Sequence, residues 1–386
     1  MGAGRLDVTV HGGIRQSVAR AYLHPAMTRP NLEMLTNTRA LRIVTENGRA
    51  RGVELGSGGE RFTAAAAREI VVSLGTFESP KLLMLSGIGS AGELKAQGIA
   101  AVADVPGVGC NLQDHVNIPV QFALHNPALS CARWQRLDRA LLLGLRYMLM
   151  RGGPGAGPFW STCAFSSVDP ASPLPDFQSF FTPMVVVEDL FAATNTGANR
   201  RWFDLDERGA RYLSRGKRAL AGFQLDINPM MPDSRGTVRL ASLDALANPR
   251  IDPSMLATDG EMKFAVEAVK LARRLAAQPS LAALTRSEIS PGPMIASDDD
   301  IRQSVRKLAN TAHHPVGTCR MGGAGSSGTV VDPQLRVKGV ERLRVVDASV
   351  MPRQIRGNPN STIIAIAERA SDLICGRTPL APEFQP

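Results

Sequence analysis

Three blocks decide how this sequence reads: Ala312-His313-His314-Pro315-Val316-Gly317-Thr318-Cys319-Arg320-Met321-Gly322, then Leu343-Arg344-Val345-Val346-Asp347-Ala348-Ser349-Val350-Met351-Pro352, then Gly357-Asn358-Pro359-Asn360 with an apolar run behind it. The middle block is a strand of β-formers, Leu343, Val345 and Val346, with Asp347 at its carboxyl end. In open α/β sheets ligands bind outside the carboxyl ends of strands, so Asp347 stands either to receive ligand hydroxyls or to cap a turn.

The third block offers Asn358, Asn360 and Ser361 as caps for a helix that runs through Ile363, Ile364, Ile366, Ala367 and Ala370. A helix start carries unpaired N–H groups and partial positive charge, which suits an electron-rich ligand edge. The first block presents a histidine on a short loop held by Pro315 and Gly317. Histidine is the natural proton acceptor near neutral pH, and His313 competes with His314 for that role on chemistry alone.

Two further blocks precede these. Gly75-Thr76-Phe77-Glu78-Ser79-Pro80-Lys81-Leu82-Leu83-Met84-Leu85-Ser86-Gly87-Ile88-Gly89 follows the apolar run Ile70-Val71-Val72, and reads as strand, glycine turn and helix from Lys81. Pro106-Gly107-Val108-Gly109-Cys110-Asn111-Leu112-Gln113-Asp114-His115 reads as a tight loop; Asp114 and His115 are of catalytic residue types, with a structural role at a domain junction the favoured reading. In this order the blocks resemble the signatures of the glucose–methanol–choline (GMC) oxidoreductases, over nearly the whole chain. The wording of Ser234-Arg235-Gly236-Thr237-Val238 and Pro249-Arg250-Ile251-Asp252-Pro253 is similar to the choline dehydrogenase and alcohol dehydrogenase branch.

The resemblance implies an FAD-dependent enzyme that oxidises the CH–OH group of a small-molecule alcohol, with hydride passing to flavin N5. It implies His314 as general base and Asn358 as hydrogen-bond partner of the substrate oxygen. It implies FAD contacts at Ala40, Asp347, Ala348, Pro359 and Asn360, partly through backbone, and no metal. The implied fold is α/β (α+β): a partial FAD/NAD(P)-binding Rossmann-like domain plus a substrate domain with an antiparallel sheet flanked by helices. The expected boundaries are 1–115 for the remainder of the FAD-binding domain, 116–309 for the substrate domain, and 310–386 for the return to the FAD-binding domain.

Composition narrows the alternatives. The chain has 386 residues, of which 44% are hydrophobic, enough to bury a core rather than stay disordered. The net charge of +9 comes without basic runs interleaved with aromatics, which argues against nucleic acid. The Arg-rich pieces at 133–139 and 200–218 read as solvated helix faces. Five scattered cysteines, Cys110, Cys131, Cys163, Cys319 and Cys375, form no framework and no C-x-x-C pair. They fit a reducing cytoplasmic setting, with peripheral attachment to an inner membrane as the variant expectation.

Along the chain, residues 1–14 read as an extended lead-in and 17–26 as a short helix. Strands at 32–43, 52–55 and 61–66 flank the hairpin signal Asn47-Gly48. Glycine and proline make 152–158 a loop. Residues 223–231 and 236–240 read as strands of the substrate sheet, and 261–276 as an amphipathic helix.

A strand–G-x-G-x-x-G–helix unit is not found. Gly323-Ala324-Gly325-Ser326-Ser327-Gly328 has the spelling but precedes a strand, so it reads as a loop. The sequence is therefore expected to begin after the family's first βαβ unit. That leaves two functional expectations open: an alcohol oxidoreductase or its C-terminal part, completed by a separate flavin-binding half or by homodimerisation, and a non-catalytic truncated homologue acting as a binding protein. The electron acceptor is not specified.

Overall fold

The computed structural model describes residues 1–158, 160, 162–168, 171–186, 203–205, 211–213 and 219–378. The chain forms two compact units, each built from three separate segments. The first comprises Met1–Glu33, Asn117–Pro229 and Met262–Asn310, and the second Met34–Val116, Met230–Glu261 and Thr311–Pro386. The first 33 residues and residues 230–261 thus fall on the opposite side of the division from the sequence expectation.

The first unit is organised by an antiparallel sheet in the spatial order Gly2–Arg5, Thr162–Ser166, Phe177–Thr182, Gly222–Pro229, Val116–Leu124, Thr285–Ser290. The lead-in is therefore an edge strand, with Gly2 opposite Phe165 and Arg5 opposite Thr162. Alternation along Gly222–Pro229 sends Phe223, Leu225 and Ile227 to one face and Gln224, Asp226 and Asn228 to the other. On the apolar face Phe223 stacks between Phe122 and Phe181, with ring centroids 5.0 and 5.4 Å away. Phe177 meets Phe264 of helix Asp259–Ala276 edge-on at 5.9 Å. Arg273 of that helix grips Glu288 with two 2.9 Å bonds, tying helix to strand.

The other face is polar and still buried. Asp226 accepts hydrogen bonds from Gln224 Nε2 at 2.6 Å, Thr182 Oγ1 at 2.9 Å and Asn117 Nδ2 at 3.1 Å. Burial pushes its carboxyl pKa up, against the pull of these donors.

Some expectations fail here for reasons of tertiary pairing. Thr237–Arg239 does not join this sheet; it pairs with Arg250–Asp252 as a separate ribbon. Within 200–218, Phe203–Leu205 and Arg211–Leu213 form an antiparallel pair rather than helix, and the remainder lies outside the described residues. Helix Leu137–Met150 does form over part of the first Arg-rich piece. Among the described residues no helix is long and apolar enough to cross a membrane.

The second unit begins with a three-stranded meander, Arg39–Glu46, Arg49–Ser57 and Glu60–Ala65. The turn at Asn47 and Gly48, with φ of 50° and 72°, has both residues in the left-handed region that two-residue hairpins need. The stretch before Arg39 is not strand. Ile70–Val72 pairs in parallel with Leu343–Val345, from the far end of the sequence. Ile70, Val72, Leu343 and Val345 join Leu83, Ile88, Val330 and Val350 in one buried cluster.

Helix Gly75–Leu85 starts at Gly75 and contains Pro80, where the sequence suggested a turn up to Pro80. Proline has no N–H to give the carbonyl of Thr76 one turn back. That oxygen instead accepts the Thr318 hydroxyl at 2.6 Å. The Thr76 hydroxyl in turn donates to Pro315 O at 2.7 Å. A missing helix bond has become a joint to the histidine loop.

Candidate active site

The strand Leu343–Val345 delivers Asp347 to its carboxyl end, as its β-forming residues suggest. The Asp347 carboxylate is fully engaged there. One oxygen accepts Ser349 N at 2.8 Å and caps the turn Ala348–Val350; the other accepts Gly75 N at 2.9 Å and Ser79 Oγ at 2.5 Å. Asp347 thus takes the turn-capping role, and Ala348 follows inside that turn. What this position offers a ligand is backbone.

His314 sits at the centre of three converging loops. Its backbone N–H donates to Asp114 Oδ1 at 2.9 Å, and its carbonyl accepts Gln354 Nε2 at 2.7 Å. Its Nδ1 lies 3.0 Å from Nδ1 of His115. Asp114 also takes the Thr311 hydroxyl, and burial pushes its pKa up. Gln113 bonds the third loop twice: its Nε2 donates to Pro352 O and its Oε1 accepts Gln354 N, each at 3.2 Å. Asn111 Nδ2 reaches Gly317 O at 3.1 Å and Pro352 O at 3.3 Å. Gly317 has φ +97°, and a Cβ there would meet Asn111 O at 2.6 Å, so only glycine lets these loops approach.

Electrostatics favour an uncharged imidazole. Burial, then the neighbouring His115 and His313, lowers the His314 pKa from 6.5 to about 4. Burial likewise depresses His115. His313 is exposed, with φ 63° and its N–H on Thr311 Oγ1, and it turns away from this buried network. The structure therefore separates the two histidines that residue chemistry left equivalent.

Asn358 follows the loop 352–355 that is bonded to His314, His115 and Gln113, and is exposed. Pro359 is the N-cap of helix Asn360–Cys375, with no side-chain cap bond. The asparagines are thus not caps, and the first N–H groups of the helix are left without a side-chain acceptor. Ala40 lies on Arg39–Glu46, packed against the core, where Arg39 pairs with Glu78 at 3.0 Å. The sequence favours a structural role for Asp114 and His115 over a catalytic one; in the structure both bond His314 directly. The Asn111–His115 block was the available signal, but nothing in it points to a partner 199 residues away.

Two family models, both described as GMC oxidoreductase, match residues 1–117 and 232–367. The chain belongs to the GMC oxidoreductase family. Human mitochondrial choline dehydrogenase is 39% identical over 389 residues, covering 100% of this chain and 61% of the relative. The oxygen-dependent choline dehydrogenase of Brucella ovis is 37% identical over 384 residues, covering 100% of this chain and 65% of the relative. This GMC chain thus spans under two thirds of the length of these curated relatives. The expectation of a chain lacking the first βαβ unit is not supported, since the N-terminal GMC model matches from residue 1.

Among solved GMC-like structures, pyridoxine 4-oxidase from Mesorbium loti superposes with TM-score 0.77 at 26% identity, covering 98% of this chain and 65% of that one. A formate oxidase variant from Aspergillus oryzae RIB40, studied for FAD modification, gives 0.80 at 25% identity, covering 97% and 65%. The mixed α/β architecture with antiparallel sheets is therefore that of the GMC fold.

Proposed function

We propose that this chain carries the reaction site of an FAD-dependent oxidoreductase acting on the CH–OH group of a small alcohol. The observation that carries the reading is the half-buried His314, held at its backbone N–H, its carbonyl and its ring. A loop histidine fixed at three points is a machine part for proton transfer. The same arrangement favours catalysis over the non-catalytic binding reading, which has no use for it.

The chain's residues fit FAD at the carboxyl ends of the parallel strands. Asp347, Ala348, Pro359 and Asn360 would hold it, the first two by backbone, and Ala40 would meet it from the meander. The helix start at Asn360, free of a side-chain cap, offers N–H groups to an anionic ring edge. When bound, FAD supplies the two-electron acceptor. His314 takes the hydroxyl proton on an imidazole nitrogen, and Asn358 donates a hydrogen bond to the substrate oxygen. Choline is the first alcohol to try, because the curated relatives are named choline dehydrogenases. The acceptor that reoxidises the cofactor is left to experiment.

The test is retention of FAD through desalting, read by visible absorption, followed by turnover of choline and primary alcohols with an artificial acceptor. Retained flavin and a loss of at least about 100-fold in kcat for His314→Ala are expected. A His314→Ala protein that binds FAD and turns over alcohol at the parent rate removes the base assignment.

A further inference from the structure

We infer that His115 is a positioning residue which determines, through two backbone carbonyls, that the ring nitrogen of His314 bearing the lone pair is Nε2. The inference rests on the reading of His314 as base but is tested apart from it.

The argument starts at the far side of His115. Its Nε2 lies 3.0 Å from Met230 O and 3.0 Å from Ile355 O. Carbonyl oxygens only accept, so Nε2 must carry a proton. His115 is 1% exposed, with no carboxylate bonded to either ring nitrogen to stabilise a second proton. It is therefore the neutral Nε2–H form, and its Nδ1 is an acceptor. That Nδ1 faces Nδ1 of His314 at 3.0 Å. Two lone pairs cannot share such a distance favourably, so His314 Nδ1 holds the proton and donates it. The rings cross at 88° with centroids 5.2 Å apart, an edge approach rather than stacking. A neutral His314 with Nδ1–H has its lone pair on Nε2, and among the described residues Nε2 makes no hydrogen bond.

The direction of the chain of bonds matters. Had a donor stood where Met230 O and Ile355 O stand, His115 would flip tautomer, and the His314 lone pair would turn inward onto His115. The carbonyls set the polarity at two removes. The clamps on the His314 backbone by Asp114 and Gln354 then keep the ring from swinging out to find another partner.

The experiment is long-range proton–nitrogen correlation NMR on the full chain with 15N-labelled histidine, at neutral pH. His314 and His115 are assigned by their loss in single His→Gln variants. The wild-type protein should show His115 protonated at Nε2 and His314 at Nδ1. In His115→Phe the acceptor is gone, and His314 should shift toward the Nε2–H form that unconstrained imidazole favours. His115→Asn, which restores an acceptor oxygen in place of Nδ1, should bring back the Nδ1–H signature.

A wild-type His314 in the Nε2–H form overturns the inference, and that measurement needs no variant to fold. A folded His115→Phe protein whose His314 tautomer is unchanged overturns it as well. Should His314 show Nδ1–H while His314→Ala keeps full alcohol turnover, the base reading falls and the tautomer assignment stands.

Discussion

At the scale of single residues, His314 is an energetic liability as well as a chemical asset. Its proton affinity is lowered from 6.5 to about 4 in the folded chain. Between those values the unfolded chain binds more protons, so stability is complete above pH 6.5 and falls as the pH drops toward 4. Burial shifts His115 in the same direction, whereas the raised pKa of Asp114 acts in the opposite one. The urea midpoint should decline as pH is lowered through this window, and the decline should be shallower in His314→Gln. Equal slopes for the two proteins would mean that His314 titrates normally.

The motif around His314 was legible because it is a local pattern. Its choice over His313 came from the family resemblance and not from residue chemistry, because that chemistry is silent on which side of a loop faces the buried network. His115 was legible as a residue but not as a partner, since its meaning lies in a contact across 199 positions. Asp347 was ambiguous in sequence for a related reason. An acid after a strand can serve a ligand or its own backbone, and only the arrival of Gly75, Ser79 and Ser349 decides between them.

At the scale of elements, turn residues and periodicity mark the local structure, whereas Pro80 does not stop its helix. The Asn47-Gly48 hairpin and helix Asp259–Ala276 follow from turn chemistry and 3.6-residue periodicity. Helix Gly75–Leu85 begins five residues before Pro80, because Thr318 supplies the bond that the proline cannot. Thr318→Val keeps the shape and deletes that donor, leaving the buried Thr76 carbonyl unpaired. It should lower stability by about 1–3 kcal/mol in urea unfolding. A change within experimental error would show that the joint is dispensable. The strand Thr237–Arg239 was legible as a strand, but its sheet was not, since pairing depends on Arg250–Asp252 arriving beside it.

At the scale of the whole molecule, each unit draws on the beginning, middle and end of the described chain. Ile70–Val72 has Leu343–Val345 as its parallel neighbour, and Gly2–Arg5 pairs with Thr162–Phe165. No cut near the middle leaves both cores whole. Residues 1–229 and 230–386 expressed separately should each lack a cooperative unfolding transition, while the intact chain shows one, as followed by circular dichroism in urea. A sharp transition in either piece would show that its core closes without the other. Interleaving of this kind is invisible to a linear reading, which assigns neighbours in sequence to one domain. This is why the linear reading groups residues 1–33 with 34–115 and 230–261 with 116–229, whereas the contacts group them the other way.

The loops around His314 also divide labour in a way that matters to a protein engineer. Gln113, His115 and Gln354, at 2%, 1% and 3% exposure, form a sealed chassis, while Asn358 and His313 stand at the surface. Changes at the three buried positions remove bonds that hold the His314 loop. Changes at the two surface positions leave those bonds in place, but reach the substrate contact proposed for Asn358 and the His313 charge that lowers the His314 pKa. Holding the loop and tuning what it meets are, for this protein, tasks given to different residues.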